Sequence, residues 1–455
     1  MDSNFLVRGE NMMLKNVLDV YFDNKLSKYK SYSTVILGGG LSGLSYAYGN
    51  LIKGNSTIIF EKREKVGGHL ITFDFNGFLF DFGPHIFRSR DEKVLIFVKQ
   101  LLRNNYHYVS SNPAIYKYGR IYDNVIPVIT FQNIENLPPE KRDKAKQEIC
   151  KLNRNLSLNN FEECIISQIG QTLYEEFFKE YTEKWWGVPP KQLSADIAPK
   201  NLAIGRDKFY AHITTNFERA LEEIYPLRGG IFEIARMLKN EVEKLGGYIV
   251  TRFNVKKLEL DGDEIARVVI EREGEEIEVE TIGRLLVSTI PLTNLCDMLG
   301  IQHRLKYRGD ICVFLAMKGN QIFNHSWIYF HDKDIIFGRV YEPLYYSKFN
   351  APSGYTSLCV EITCFKDDST WKDTYLGDKV VEQLLDLGMI KKNQEPKILG
   401  IRKDPFAYPL FTIGYEKELE KVFSELNLIR NLRVIGRAGS FKYLNMNDCI
   451  KWALC

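Results

Sequence analysis

Residues 34–51 read TVILGGGLSGLSYAYGNL. Thr34 to Leu37 is a short apolar, β-branched run, as expected of a buried strand. It ends in three glycines, and from Leu41 the apolar residues return at helical spacing. STIIFEKR (56–63) then gives a second buried strand, so the segment is a βαβ unit. Gly38, Gly40 and Gly43 form G-x-G-x-x-G between the first strand and the helix. Gly38 would allow the tight turn, Gly40 the approach of a pyrophosphate to the backbone, and Gly43 close helix–strand packing. Free N–H groups at the helix start would bind the anion. Alone, such a glycine motif is weak evidence. Here Glu61 ends the second strand at about the 20-residue spacing where a carboxylate accepts ribose hydroxyls, and a dinucleotide site is expected.

The remaining chain repeats this grammar. RGGIFEIARMLKNEVEKLGGYIVTRFNVKKLEL (228–260) predicts a glycine turn, a helix, a Gly-Gly stop and a strand. EIARVVIEREGEEIEVE (264–280) alternates and breaks at Gly274, a hairpin signal. RLLVSTIP (284–291) predicts another buried strand, and residues 431–454 a strand, a glycine turn and a closing helix. Residues 91–110 and 134–184 read as mostly helical, and 309–363 as rich in strands. The expected fold is α/β. A Rossmann-like cofactor domain is assembled from three discontinuous segments, 31–88, 225–300 and 431–455. An α+β substrate domain, a helical insertion plus an antiparallel sheet, comes from 89–224 and 301–430. Residues 1–30 form an extension in which Leu14, Val17, Leu18, Tyr21 and Phe22 predict an amphipathic helix.

At 455 residues the chain exceeds one hydrophobic core. A net charge of +3 is too small to argue for nucleic acid or an anionic membrane surface. No apolar run approaches the roughly 18 residues of a membrane span. The eight cysteines show neither a C-x-x-C pair nor metal-ligand spacing, and the N-terminus lacks a secretory apolar stretch. Reduced thiols, no metal and a cytoplasmic location are expected.

Beyond Glu61 and Lys62 the sequence continues REKVGGHLITFDFNGFLFDFG (63–83), with the pair Gly67–Gly68. This resembles the flavoprotein superfamily of amine oxidases, protoporphyrinogen oxidases and UDP-galactopyranose mutases. Its members carry a second glycine pair where the chain passes the diphosphate of FAD. LRGGIFEIARML (227–238), FNV (253–255) and VSTIP (287–291) match the same superfamily. The resemblance runs from about residue 33 to the C-terminus and implies FAD. The cofactor residues it implies are Gly38, Gly40, Gly43, Glu61, Lys62, Gly67, Gly68, Val255 by the adenine, Gly436 and Met446.

Further segments resemble the mutase branch. GPHIF (83–87) would put His85 beside the isoalloxazine. FFKEYTEKWWG (177–187) is similar to a helix whose aromatics sandwich uracil, matching Phe177, Tyr181 and Trp186. FGRVYEP (337–343) supplies Arg339, and GRAGSFKYLNM (436–446) supplies Arg437 and Tyr443, for a substrate diphosphate. Tyr408 and Arg206 match further substrate positions. Two departures stand out: Asn445 and Asn447 replace the aspartates usual around the methionine, and Arg88 stands where a second histidine is common. They leave the sugar open.

The physics agrees with the resemblance: a nucleoside diphosphate wants aromatic faces for its base and planar cationic forks for its phosphates. Plainer readings also exist, with Arg339 and Arg437 in structural ion pairs and His85 pinning its own turn. The mutase resemblance implies a non-redox ring contraction of a UDP-linked sugar through N5 of reduced FAD, with His85, Arg339, Arg437 and Tyr443 around the reacting centre. It implies an unidentified flavin reductant as a partner and leaves a homodimer open. Two other readings remain: an oxidase passing hydride from substrate to FAD, and a flavin-binding protein without turnover.

Overall fold

The computed structural model describes residues 32–123, 128–152, 159–199, 203–205 and 222–454. The expected N-terminal helix and Arg206 lie outside the described residues.

The quoted stretch forms the centre of a five-stranded parallel sheet. Its strands run in the order Tyr248–Thr251, Thr57–Glu61, Thr34–Leu37, Leu285–Ser288, Leu432–Val434. They come from three widely separated stretches of chain. Both faces are covered, so the strands read as continuous apolar runs rather than as alternation. Successive residues still point to opposite faces. Ile36 and Ile59 pack beneath the helices Leu41–Ile52 and Phe232–Lys244, while Val35, Leu37, Ile58 and Phe60 join the core of the opposite face. That second face is covered by the antiparallel strands Asn254–Asp261, Glu264–Arg272 and Glu275–Glu280 and by the helix Leu292–Leu299. The helix Glu92–Leu102, beyond the expected boundary at residue 88, packs on Phe232–Lys244 in the first core.

The second large sheet has seven strands, in the order Lys397–Pro409, Tyr307–Lys318, Tyr355–Cys364, Arg339–Tyr341, Ile328–Phe330, Ala114–Lys117, Arg120–Asp123. It is antiparallel except where Ile328–Phe330 meets Ala114–Lys117. Two of its strands thus come from the insertion that the sequence presents as helical. Register places Arg339 between Glu361 on one side and Tyr329 on the other. Asp310 pairs with Thr363, one diagonal step from Glu361 on the same face.

The helices Pro139–Ile149, Phe161–Ile169, Gln171–Tyr174 and Glu180–Trp186 form a separate group beside this sheet. A π-helical turn, Glu175–Lys179, precedes the last of them. Its wider turn breaks the 3.6-residue phase across the segment that carries the aromatics. No helix among the described residues is long and apolar enough to cross a membrane.

Candidate active site

A cavity of about 480 Å³ lies between the parallel sheet and the seven-stranded sheet. Its two ends are built differently.

At one end the wall is mostly backbone. Gly38 has φ +101°, and a Cβ there would fall 2.3 Å from Thr289 Oγ1. A Cβ on Gly43 would sit 2.1 Å from the Gly38 carbonyl, so helix and strand close only over glycine. Gly40 differs: a Cβ there meets only Gly68 Cα, at 3.8 Å. Gly40 and Gly67 form an isolated parallel bridge, and Gly67 N–H donates to Gly39 O at 2.8 Å. The two glycine segments therefore make one cradle whose open side a side chain at Gly40 would fill. Buried Glu61 accepts from Gly39 N–H through Oε2 and from Arg63 N–H through Oε1, both at 2.8 Å. Each oxygen keeps a second lone pair, so the carboxylate can also take a hydroxyl. These residues fit a dinucleotide. Lys62, Val255, Gly436 and Met446 line the same cavity, while Gly43 supports it from beneath.

Side chains form the other end. His85, Arg339, Tyr408, Arg437 and Tyr443 all line the cavity. His85 Nδ1–H donates to Gly83 O at 3.0 Å, so the ring pins its own turn and offers Nε2 as an acceptor. Burial lowers its pKa to about 3, with Arg339 and Arg437 adding to the effect, and the imidazole is neutral.

Arg339 is held by Glu361 in a two-bond fork, Nε to Oε1 at 2.7 Å and Nη2 to Oε2 at 2.5 Å. Nη2 also donates to Tyr408 Oη at 3.3 Å, and the guanidinium lies 5.0 Å from the Trp185 ring. Arg437 has no carboxylate partner among the described residues. It donates to the carbonyls of Leu444 and Ala407 at 3.4 and 3.2 Å and lies 4.1 Å from the centre of the Tyr443 ring. Its Nε is buried and without a partner among the described residues. A half-buried cation left in this state is suited to an anion from outside the chain.

A family model described as flavin containing amine oxidoreductase matches residues 41–416. The chain belongs to that family. This flavoenzyme is 23% identical over 437 residues to a Klebsiella pneumoniae protein named "Probable UDP-galactopyranose mutase", covering 92% of each chain. Among solved structures it resembles a reduced UDP-galactopyranose mutase, with TM-score 0.74, 22% identity and coverage of 92% and 93%. It also resembles a protein from Exiguobacterium sp. 255-15 provisionally assigned as a protoporphyrinogen oxidase, with TM-score 0.69, 15% identity and coverage of 93% and 97%. The fold is thus shared by mutases and oxidases.

The helix aromatics need correction. Phe177 is 1% exposed, edge-on to Tyr122 in the helical core, and does not reach the cavity. Tyr181 lies behind the wall, stacked on Trp185 at 5.7 Å and on His331 at 4.5 Å, with its edge on Tyr329. Trp186 touches Tyr408 edge-on at 6.0 Å and is also outside the lining.

Several site residues escape the sequence reading. Trp185 packs against Arg339, and Tyr329 and Asp310 line the cavity. His69, directly after Gly67–Gly68, also lines it, with Nε2 3.2 Å from Asp404 Oδ2. Arg63 donates to the same oxygen at 2.8 Å. Burial alone would raise the Asp404 carboxyl, but His69 and Arg63 outweigh it and hold it below its usual range. For Glu361 a signal existed: it is the sole carboxylate in the apolar strand YTSLCVEITC.

Proposed function

We propose that this flavoenzyme binds FAD and isomerises a nucleotide-activated sugar. The observation that carries the reading is Arg437, a cation at the cavity wall with buried Nε and no carboxylate partner among the described residues. Arg339, Tyr408 and Tyr443 converge on the same wall: Arg339 bonds Tyr408, whose ring stacks on Tyr443 at 6.1 Å. Such a wall suits a diphosphate leaving group, whose developing charge it would stabilise. Gly38, Gly40, Glu61, Gly67 and Gly68 would hold the pyrophosphate and ribose of FAD. Reduced FAD would supply a nucleophilic N5 for the anomeric carbon. Neutral His85 would offer Nε2 as a hydrogen-bond acceptor without adding charge. The similarity to proteins named as UDP-galactopyranose mutases favours a UDP-linked substrate. The proposed FAD-binding unit comprises 31–88, 225–300 and 431–455, with the helix Glu92–Leu102 added to it.

One observation favours hydride-transferring oxidase chemistry instead. Glu361 neutralises Arg339, which makes the wall less cationic than two free arginines would. Calorimetric titration of UDP into FAD-loaded protein, followed by incubation of the reduced protein with a panel of nucleotide sugars, separates the two. UDP binding and an isomerised product without net flavin oxidation are expected. Absence of UDP binding at millimolar concentration, with flavin reduced by an amine or porphyrinogen instead, would overturn the isomerase reading.

A further inference from the structure

The fork of Arg339 is already taken by Glu361, so an incoming diphosphate must compete with a carboxylate for it. Glu361 is 0% exposed and Asp310 only 2%. Asp310 is the diagonal neighbour of Glu361 on the same face of the sheet, and its buried Oδ1 has no hydrogen-bond donor among the described residues. Two buried carboxylates side by side, one with an oxygen lacking a donor, form an arrangement that a shared proton resolves.

We propose that Asp310 and Glu361 share a proton and act as positioning residues for Arg339, releasing its guanidinium to an anionic ligand by taking up a further proton. This rests on the reading of Arg339 as a diphosphate ligand.

The charged surroundings support it from each packed element. Arg339 lies on the neighbouring strand, and Asp404 and Tyr408 lie on Lys397–Pro409. Cys312 and Cys359 flank the pair, Asp404 stands directly opposite Asp310 in register and carries His69 and Arg63 with it, and His85 and Arg437 line the same cavity. Burial first, then the charge of Glu361, pushes the Asp310 carboxyl well above the usual carboxylate range. An anion that draws Arg339 away removes the cation bonded to Glu361 and adds negative charge beside both acids. Each change favours protonation. The proton comes from solvent and ends on a carboxylate oxygen; no other bond is made or broken.

The experiment is calorimetric titration of UDP into FAD-loaded protein, in two buffers of different ionisation enthalpy. A pH of about 8 lies well above the phosphate's second pKa of about 6. Net proton uptake on binding is expected, with affinity falling as pH rises. Glu361→Gln should abolish the uptake and tighten UDP binding several-fold, because an amide does not hold the guanidinium as an ion pair. Asp310→Asn, the milder change should Glu361→Gln fail to fold, should diminish the uptake. UDP binding without uptake, or uptake unchanged by a folded variant, would overturn the shared proton and leave the diphosphate site standing. If neither UDP nor inorganic pyrophosphate binds, Arg339 has no such anion to hold and both readings fall.

Discussion

Under the proposed function, the glycine end of the cavity and the arginine end solve the same problem, anion recognition, by opposite means. The glycine end removes side chains so that backbone N–H groups can approach, and its charges are partial and fixed. At the arginine end the charges are full, and their availability depends on partners. Arg339 is committed to a buried carboxylate, whereas Arg437 rests on carbonyl oxygens and a tyrosine face. A residue's type therefore says little about its free charge until its neighbours are known.

The largest expected effect separates two glycines of one motif. Gly43→Val should prevent soluble expression, because its Cβ would sit 2.1 Å from the Gly38 carbonyl. Gly40→Val should fold yet purify without bound flavin, since its side chain enters the open cradle. Flavin absorbance together with thermal unfolding checks both. Full flavin occupancy in folded Gly40→Val would mean that the cradle is misassigned.

Next come the two arginines. Arg339→Ala should cost about 3–5 kcal/mol of stability, because it strands a buried Glu361 without its partner. Arg437→Ala should leave stability almost unchanged and weaken UDP by about ten- to a hundredfold, the worth of a charge-assisted hydrogen bond. Denaturant melts and calorimetry on both variants make the comparison, and an exchange of the two phenotypes would refute it.

A smaller effect concerns acid. His85 has a folded pKa of about 3, below its ordinary 6.5, so the unfolded chain binds more protons between those values. Its contribution to stability should be complete above about pH 6.5 and decline as pH falls toward 3, at up to about 1.4 kcal/mol per pH unit. His85→Asn should flatten that part of the stability profile; an unchanged slope would show that the ring is not buried neutral.

The smallest effect is expected at Trp186, outside the lining. Trp186→Ala should change UDP affinity by less than Trp185→Ala, whose ring backs Arg339. The reverse order in calorimetry would return Trp186 to the site.

What the sequence made legible follows the same division. Gly38, Gly40, Gly43 and Glu61 lie on one βαβ unit, and their roles depend on local turn geometry and strand ends. Such features leave a pattern within about thirty residues. Arg339, Tyr408, Arg437 and Tyr443 were found through resemblance, but their electrostatic state was not. Glu361 and Asp310 meet Arg339 only through cross-strand register, and register is a property of the folded sheet. Phe177 was also found through resemblance, and its place in the helical core against Tyr122 is set by tertiary packing, which a matched motif does not state.

The parallel sheet also has a consequence for synthesis. Its edge strand, Leu432–Val434, pairs with Leu285–Ser288, and Gly436, Arg437 and Met446 of the cavity follow it. A growing polypeptide therefore displays the Gly38–Gly43 loop early but cannot finish the flavin pocket until residues 432–446 have left the ribosome. Until then the open edge of Leu285–Ser288 is an unpaired template, attractive to other strands and to chaperones. Flavin supply in the expressing cell as synthesis ends, rather than after purification, should decide how much protein reaches its mature form.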